Sequence, residues 1–437
     1  MNKEYVQPPR GVRDIIGIDA EIHEYLVEEF REVARLNGYK PVIPPTIEYS
    51  KLFEAKSGPE IKRSMYVFED KAGRLLALRP EVTASIVRIY LRKLRGEPKP
   101  IRLYYVAQCF RYEEPQFARY REFWQAGLEI IGDQSVNSDL AVAYTASYYL
   151  DRIGIRHKYV VGNVAFYRVF MDNAKVPNEI QDEILHIIDK GETDKALAKL
   201  RRIVSSNFLD IIGSLLNTSL NDIEELILDS RGMLGEDSIK KLLNEYRRTL
   251  VFIDSLRELG YTVEYNPMLV RGLAYYTGLI YEYKSDKLKQ SIGGGGRYDG
   301  LTSIYGGPYE YSTGLALGID RIALALTEDK TIGINSTREV LVIIRNAPLV
   351  NGYNLLRRLN KLGIPAWVIE TNSIKKALRL ANKRNVAVAV IIGSREAKQG
   401  TVTVKNMESG EQRVVGEDEA PDLIKHIISK GPLSEPS

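Results

Sequence analysis

Four side chains at alternate positions of one segment, Phe123, Gln125, Gly127 and Glu129, have the types and spacing of a small-molecule site. In an extended chain successive side chains point to opposite faces, so these four share one. They offer an aromatic plate, an amide, a gap and a carboxylate. The intervening Trp124, Ala126, Leu128 and Ile130 are apolar and suit packing against a helix layer. A small polar ligand on the open face of an antiparallel sheet would fit that parity, and an ordinary half-exposed strand would show it too. A polar loop just before the segment holds Glu113, Glu114, Pro115 and Arg119. LRPEVTAS (78–85) puts Glu81 and Thr83 at the start of a helix, where they could cap backbone N–H groups or hold an ammonium group. RGLAYYTGLIYE (271–282) combines Arg271 with paired Tyr275 and Tyr276, and GLALGIDRIA (314–323) carries Arg321 where an apolar strand runs into a helix.

Other chemistries lack their residues. There is no GxxxxGK[ST] loop, and GGGGRYDG (293–300) satisfies GxGxxG in no register, so the common Gly-rich phosphate loops have no support. A single cysteine, Cys109, excludes an internal disulfide framework, and four scattered histidines argue against a Cys/His zinc site. No run approaches the ~18 apolar residues of a membrane helix. The start, MNKEYVQPPRGVRD, has no apolar signal core, so a cytoplasmic protein is expected.

The elements that must position these residues follow from periodicity. Ile22, Leu26, Phe30, Val33 and Leu36 predict a helix over 19–37, followed by the proline-rich extended stretch YKPVIPPTIE. Short β-rich runs follow from 64 to 131 (MYVFED, RLLALRP, IRLYYVAQCFRY, REFWQAGLEIIG), with a helix over 82–95 between them. A helix over 137–154 and a strand at KYVVGNV come next. Residues 164–258 are rich in Leu, Ile, Asp, Glu and Lys at helical spacing and read as a helical insertion. Strand patterns return at YTVEYNP, YYTGLIYEYK and TGLALGID. After the polar stretch 327–338, VLVIIR, PAWVIE and VAVAVIIG alternate with helices over 350–362 and 374–384, a βαβαβ rhythm. The expected division is 1–163, 164–258, 259–327, linker 328–338, module 339–429 and tail 430–437. Residues 339–415 carry 13 Lys and Arg against 5 Asp and Glu, on a chain whose net charge is only +4. A basic module on a mildly acidic body suits contact with phosphate, and a solvated surface of a heat-adapted protein would look the same.

Together these segments resemble a known family. FRYEEPQFARYREFWQ (110–125) is similar to motif 2 of class II aminoacyl-tRNA synthetases, GLALGIDRIA to motif 3, and GYKPVIPPTIE, with Pro45, to the dimer-forming motif 1. RGLAYYTGLIYE and GGGGRYDGL resemble the two signatures of histidyl-tRNA synthetases. The resemblance spans 8–324 in the family's order, and 339–429 resemble the class IIa anticodon-binding domain. One position departs: the first signature usually reads RGLDYY, and Ala274 replaces its acid. The implied fold is α+β, an antiparallel class II sheet flanked by helices, with 164–258 inserted and an α/β anticodon-binding domain at the C-terminal end.

The implied reaction joins L-histidine and ATP into histidyl-adenylate and passes the histidyl group to tRNA(His). Its first step gathers negative charge on α-phosphate oxygens and pyrophosphate, and arginine forks suit such oxygens. By the family's pattern Arg111 contacts the α-phosphate, Arg321 the γ-phosphate, and Arg271 the α-phosphate and the histidine carboxylate. Phe123 and Arg321 sandwich adenine, and Glu113 belongs to the ATP site. Glu81, Thr83 and Gln125 hold the α-ammonium. Glu129 and Tyr276 take the two imidazole nitrogens, with Tyr275 lining the pocket. A neutral imidazole has one donor and one acceptor, which a carboxylate opposite a hydroxyl satisfies. The GGGG run lets backbone approach the pocket, with Arg297 and Tyr298 near it, unless it is merely a flexible turn. The resemblance also implies Mg2+ arriving with ATP rather than on a protein cluster, a homodimer, and no membrane. Two alternatives are a regulatory paralogue of ATP phosphoribosyltransferase, which lacks the anticodon-binding domain, and a class IIa synthetase for glycine, proline or threonine. Retention of Arg111, Arg271 and Arg321 argues against the first. The Glu129, Tyr275 and Tyr276 set argues against the second.

Overall fold

The two longest β-rich runs form the antiparallel pair Ile101–Phe110 and Glu122–Ile131 on which the site is built. The computed structural model of the chain describes residues 6–55, 63–270, 275–328 and 338–429. It divides into two units, Met1–Ile332 and Gly333–Ser437.

In the first unit an eight-stranded sheet runs in the order Lys40–Pro41, Ile101–Phe110, Glu122–Ile131, Ser312–Gly318, Ser291–Arg297, Leu279–Ser285, His157–Asn163, Val263–Tyr265. Its inner pairings are antiparallel, and only the two outermost strands pair in parallel. The helix Ile18–Leu36 covers one face with Ile22, Leu26, Phe30 and Val33, at the spacing the sequence displays. Trp124 meets this layer through the His23 ring, 5.0 Å away, so the even positions of its strand do pack on helix. The helix expected over 82–95 is α-helical at Thr83–Ile89 and continues as a π-helical turn at Tyr90–Leu94.

One central strand has no counterpart among the runs read from sequence. Ser291–Arg297, which contains the four consecutive glycines, is neither loop nor turn but pairs on both sides. Glycine carries no side chain to alternate, so the usual strand signal is missing there. The reason for glycine is close approach. A Cβ at Gly295 would lie 2.2 Å from the Gly314 carbonyl oxygen, and one at Gly293 2.5 Å from Leu317 Cδ2.

Between Ala165 and Glu258 the chain is helical, from Ala165–Asn173 to the 23-residue helix Glu236–Glu258. The latter buries Leu242, Tyr246, Phe252, Ile253 and Leu256.

The second unit is a five-stranded sheet in the order Ala366–Glu370, Val340–Arg345, Val388–Gly393, Thr401–Asn406, Gln412–Gly416. Its first three strands are parallel, as the βαβαβ rhythm predicts. The helices Leu349–Lys361 and Ile374–Lys383 bury Leu355 and Leu359 on one face and Ala377 and Ala381 on the other. The hairpin 401–416 and the last helix, Ala420–Ser429, add elements the sequence reading leaves unassigned.

Candidate active site

Register brings the site together. Glu129 pairs with Leu103 on one side and Gly314 on the other, Gly127 with Tyr105 and Ala316, and Gln125 with Ala107 and Gly318. The ledge is therefore continued across three strands mainly by small residues, and an open cleft of about 340 Å³ stands over it. Glu81, Thr83, Arg111, Glu113, Phe123, Gln125, Tyr275, Tyr276 and Arg321 all line this cleft. Glu129 lies just beneath, 1% exposed. Arg271 and Ala274 fall outside the described residues.

The floor of the inner end is a buried polar network. Thr83 Oγ1 donates to Glu129 Oε1 at 2.9 Å, and Tyr298 Oη donates to Oε2 at 2.7 Å. Two glycines make room for it. A Cβ at Gly314 would sit 1.7 Å from Glu129 Oε2, and one at Gly127 would meet the Tyr105 ring at 2.2 Å. What the sequence offers as a gap at Gly127 is thus filled by a phenol. Burial pushes the Glu129 carboxyl up to about 8, against the two hydrogen bonds that favour its charged form; the Glu81 carboxylate adds to the rise. Burial raises Glu81 as well, opposed by backbone N–H groups and by Arg111. Glu81 caps the helix Thr83–Ile89, accepting from the Ala84 N–H at 3.1 Å, while also facing the cleft. Both uses open to it from sequence are therefore compatible.

The outer end is cationic. Arg111 covers the Phe123 ring, its guanidinium carbon 5.3 Å from the ring centroid, and its Nε donates to the Pro80 carbonyl at 2.9 Å. Arg321 donates to the carbonyls of Ser291 at 2.7 Å and Ala118 at 3.2 Å. Glu113 stands between Arg111 and Arg119, at 4.0 and 3.8 Å. Arg111 is thus a cation over the Phe123 ring, and Arg321 holds two backbone carbonyls beside it. Such an end suits a multiply charged anion, and Phe123 offers a plate for stacking.

Of the two neighbours expected near the pocket, one is there and one is not. Arg297 is 0% exposed and pairs with Asp139 at 2.8 Å and Asp299 at 3.2 Å, so it braces the sheet and does not reach the cleft. Tyr298, in contrast, is a direct partner of Glu129, and Tyr105, Arg119, Tyr120 and Asp320 also line the cleft. Only register could have exposed Tyr105, because it sits opposite Gly127 on the neighbouring strand.

A histidyl-tRNA synthetase family model matches residues 11–322, and an anticodon-binding domain model matches 340–427. A histidine–tRNA ligase of Sulfurisphaera tokodaii is 35% identical over 97% of this chain and 99% of its own length. Among solved structures, the apo histidyl-tRNA synthetase of S. aureus superposes with a TM-score of 0.67 at 26% identity, covering 95% of this chain and 99% of that one. The histidyl-tRNA synthetase of Nostoc gives 0.73 at 20% identity over 96% and 99%.

Proposed function

The chain belongs to the histidyl-tRNA synthetase family and ligates histidine to tRNA using ATP; from that premise we propose how its cleft divides the work. Histidine occupies the inner end. Glu129 and Tyr276 take the imidazole nitrogens, Tyr275 lines the ring, and Glu81, Thr83 and Gln125 hold the α-ammonium. ATP occupies the outer end, with Arg111 on the α-phosphate, Arg321 on the γ-phosphate, Phe123 against adenine and Glu113 among the arginines. Arg271 joins the two substrates at the α-phosphate and the histidine carboxylate. A histidine carboxylate oxygen attacks the α-phosphorus, the bond to pyrophosphate breaks, and histidyl-adenylate forms. The terminal tRNA hydroxyl then attacks its carbonyl carbon, and AMP leaves.

The observation that carries this reading is the juxtaposition of a preformed acceptor, Glu129 held by Thr83 and Tyr298, with the cationic end containing Arg111, Arg119 and Arg321. Among the described residues no cluster of three or more acidic, His or Cys side chains could hold a metal. A Mg2+ ion carried mainly by ATP phosphates suits that donor set, with Glu113 at hand, because Mg2+ keeps several waters and needs few carboxylates.

The remaining assignments rest on surfaces. Around the stretch that resembles motif 1, Ile43 is 94% exposed, and Ile47, Tyr49, Val67, Phe68 and Leu75 are also exposed. Such an apolar patch supports an isologous homodimer. In the second unit the helix Ile374–Lys383 exposes Lys375, Lys376, Arg379 and Lys383, which suits tRNA phosphates. That unit matches the domain a regulatory paralogue lacks, so the ligase reading is favoured. The domain division expected from sequence belongs to the same proposal, as does a cytoplasmic location; no helix among the described residues is long and apolar enough to cross a membrane.

Pyrophosphate exchange tests the assignment. It should depend on histidine among the amino acids, and Glu129→Gln should raise the KM for histidine far more than that for ATP. Equal losses for both substrates would place Glu129 in the wrong half of the cleft.

A further inference from the structure

The segment before the first helix is fastened to the loop between the strands Ile101–Phe110 and Glu122–Ile131. The Arg121 N–H donates to the Gly11 carbonyl at 2.8 Å, and Arg121 Nη1 to the Arg10 carbonyl at 3.2 Å. Gly11 has φ +85°, and a Cβ there would lie 2.8 Å from Arg121 Cγ, so the two backbones meet only because this residue is glycine.

Arg13 makes the consequential contacts. Its Nη1 donates to Tyr120 Oη at 2.9 Å, and its guanidinium carbon lies 3.8 Å from the Tyr120 ring centroid. Its Nη2 is ion-paired with Asp320 Oδ1. Asp320 is 4% exposed, and its other oxygen accepts from the Trp124 N–H at 2.7 Å. One guanidinium thus joins the 111–121 loop, the strand Glu122–Ile131 and the start of the helix Ile319–Glu328, where Arg321 follows Asp320 directly.

A second link joins the same loop and helix: Arg321 Nε donates to the Ala118 carbonyl. The two links differ in permanence. Nε and Nη1 of Arg321 are already given to the Ala118 and Ser291 carbonyls, so a swing of this side chain toward phosphate would loosen that link. The Tyr120–Arg13–Asp320 link asks for no such swing, because a planar fork can serve the ring hydroxyl and the carboxylate together.

We propose that Arg13 is a positioning residue for ATP, holding the 111–121 loop against the helix that carries Arg321 whether or not Arg321 keeps its own link to that loop. This rests on the reading that the outer half of the cleft takes ATP.

A cavity of about 120 Å³ behind the ion pair supplies an independent readout. Arg13, Asp14, Asp19, His23 and Asp320 line it, and His23 Nε2 is buried there without a hydrogen-bond partner. Burial holds the His23 pKa below its ordinary value, Arg13 lowers it further, and Asp320 and Glu24 oppose them. Arg13 lowers the His23 pKa and Asp320 raises it, so loss of Arg13 should move the His23 titration to higher pH.

The experiment compares R13Q, R13K, Y120F and R321A by histidine-dependent pyrophosphate exchange, and follows the imidazole of His23, one of four histidines, by NMR titration. R13Q should raise the KM for ATP about tenfold, as expected for a lost charge-assisted hydrogen bond, and leave that for histidine within about twofold. R13K keeps the charge without the fork and should fall between. The His23 pKa should rise in R13Q only. If R13Q does not fold, Y120F, which removes one hydroxyl, must by itself raise the ATP KM about threefold. Wild-type ATP kinetics in R13Q or, failing that, in Y120F, with R321A impaired, overturn the role of Arg13. So do equal shifts in both KM values. Wild-type exchange in R321A instead overturns the ATP assignment beneath it.

Discussion

The two ends of the cleft are built on opposite principles. At the inner end Glu129 and Tyr298 are 1% exposed, Thr83 is 9% exposed, and both carboxyl oxygens of Glu129 are hydrogen-bonded. At the outer end the side chains of Arg111 and Arg119 are 24% and 51% exposed, and their contacts with Glu113 are long. A small ring with one donor and one acceptor is distinguished by what a wrong ligand leaves unpaired, and that penalty exists only where water is excluded. Phosphates are held by charge, which acts in partial solvent and tolerates forks that swing. Under the proposed division, buried and fully paired groups stand where the imidazole would be read, and half-exposed cations where ATP would bind.

If that contrast holds, the largest single effect is at the outer end. Arg321→Ala should lower pyrophosphate exchange by about 10²- to 10³-fold, the usual cost of losing one donor to the transition state. Histidine binding by calorimetry should be unchanged. A matching loss of histidine affinity would join the two ends into one unit and break the comparison. Next in size is Gly314→Ala. Its Cβ would lie 1.7 Å from Glu129 Oε2 and 2.8 Å from the Leu128 carbonyl, so the carboxyl must move. The KM for histidine should rise about 100-fold, equivalent to ~3 kcal/mol, and that for ATP little. An active Gly314→Ala enzyme with normal histidine affinity would show that the inner end is not rigid.

Legibility followed the same division. Phe123, Gln125 and Glu129 could be placed on one face because a strand with side chains displays its period. The helix Ile18–Leu36 could be placed, and 164–258 read as helical, because their apolar residues recur at helical spacing. The strand Ser291–Arg297 could not, since glycines have no pattern, although their lack of a side chain is what admits the Gly314 and Leu317 contacts. Tyr298 was visible only as a neighbour of that run. Its partner Glu129 is 169 positions away, and no local rule links them. The arginines of the outer end were found through motifs, but their resting contacts with the Pro80, Ala118 and Ser291 carbonyls depend on loop geometry that residue types do not encode.

A smaller effect separates holding Glu129 from touching the substrate. Tyr298→Phe removes one donor to the carboxyl and preserves the ring. It should raise the KM for histidine about tenfold, near the lower end for a hydrogen bond to a charged group. The ATP KM should stay put. Because that hydrogen bond holds the Glu129 pKa down, the group should then titrate above about 8. An unchanged histidine pH profile in this variant would mean that Tyr298 packs beside the carboxyl without steering it.

The smallest effect is on stability, and its sign is fixed by the direction of the Glu129 shift. The folded pKa, about 8, lies above the ordinary carboxyl value of 4.5. A group raised on folding favours the native state fully at pH below its unfolded pKa, and that contribution disappears as pH rises through the folded pKa. Glu129→Gln has no such titration, and its amide can still meet Thr83 and Tyr298, whose oxygens both donate and accept. Wild type should therefore lose thermal stability relative to Glu129→Gln as pH rises from 4.5 to 8, and the gap should stay level above that. The melting difference should widen steadily across that window. Saturating histidine should narrow it, because a bound imidazole gives the charged carboxylate a partner. A gap that is flat with pH would mean that Glu129 is ionised and solvated in the free protein, and the inner end would then be as open as the outer.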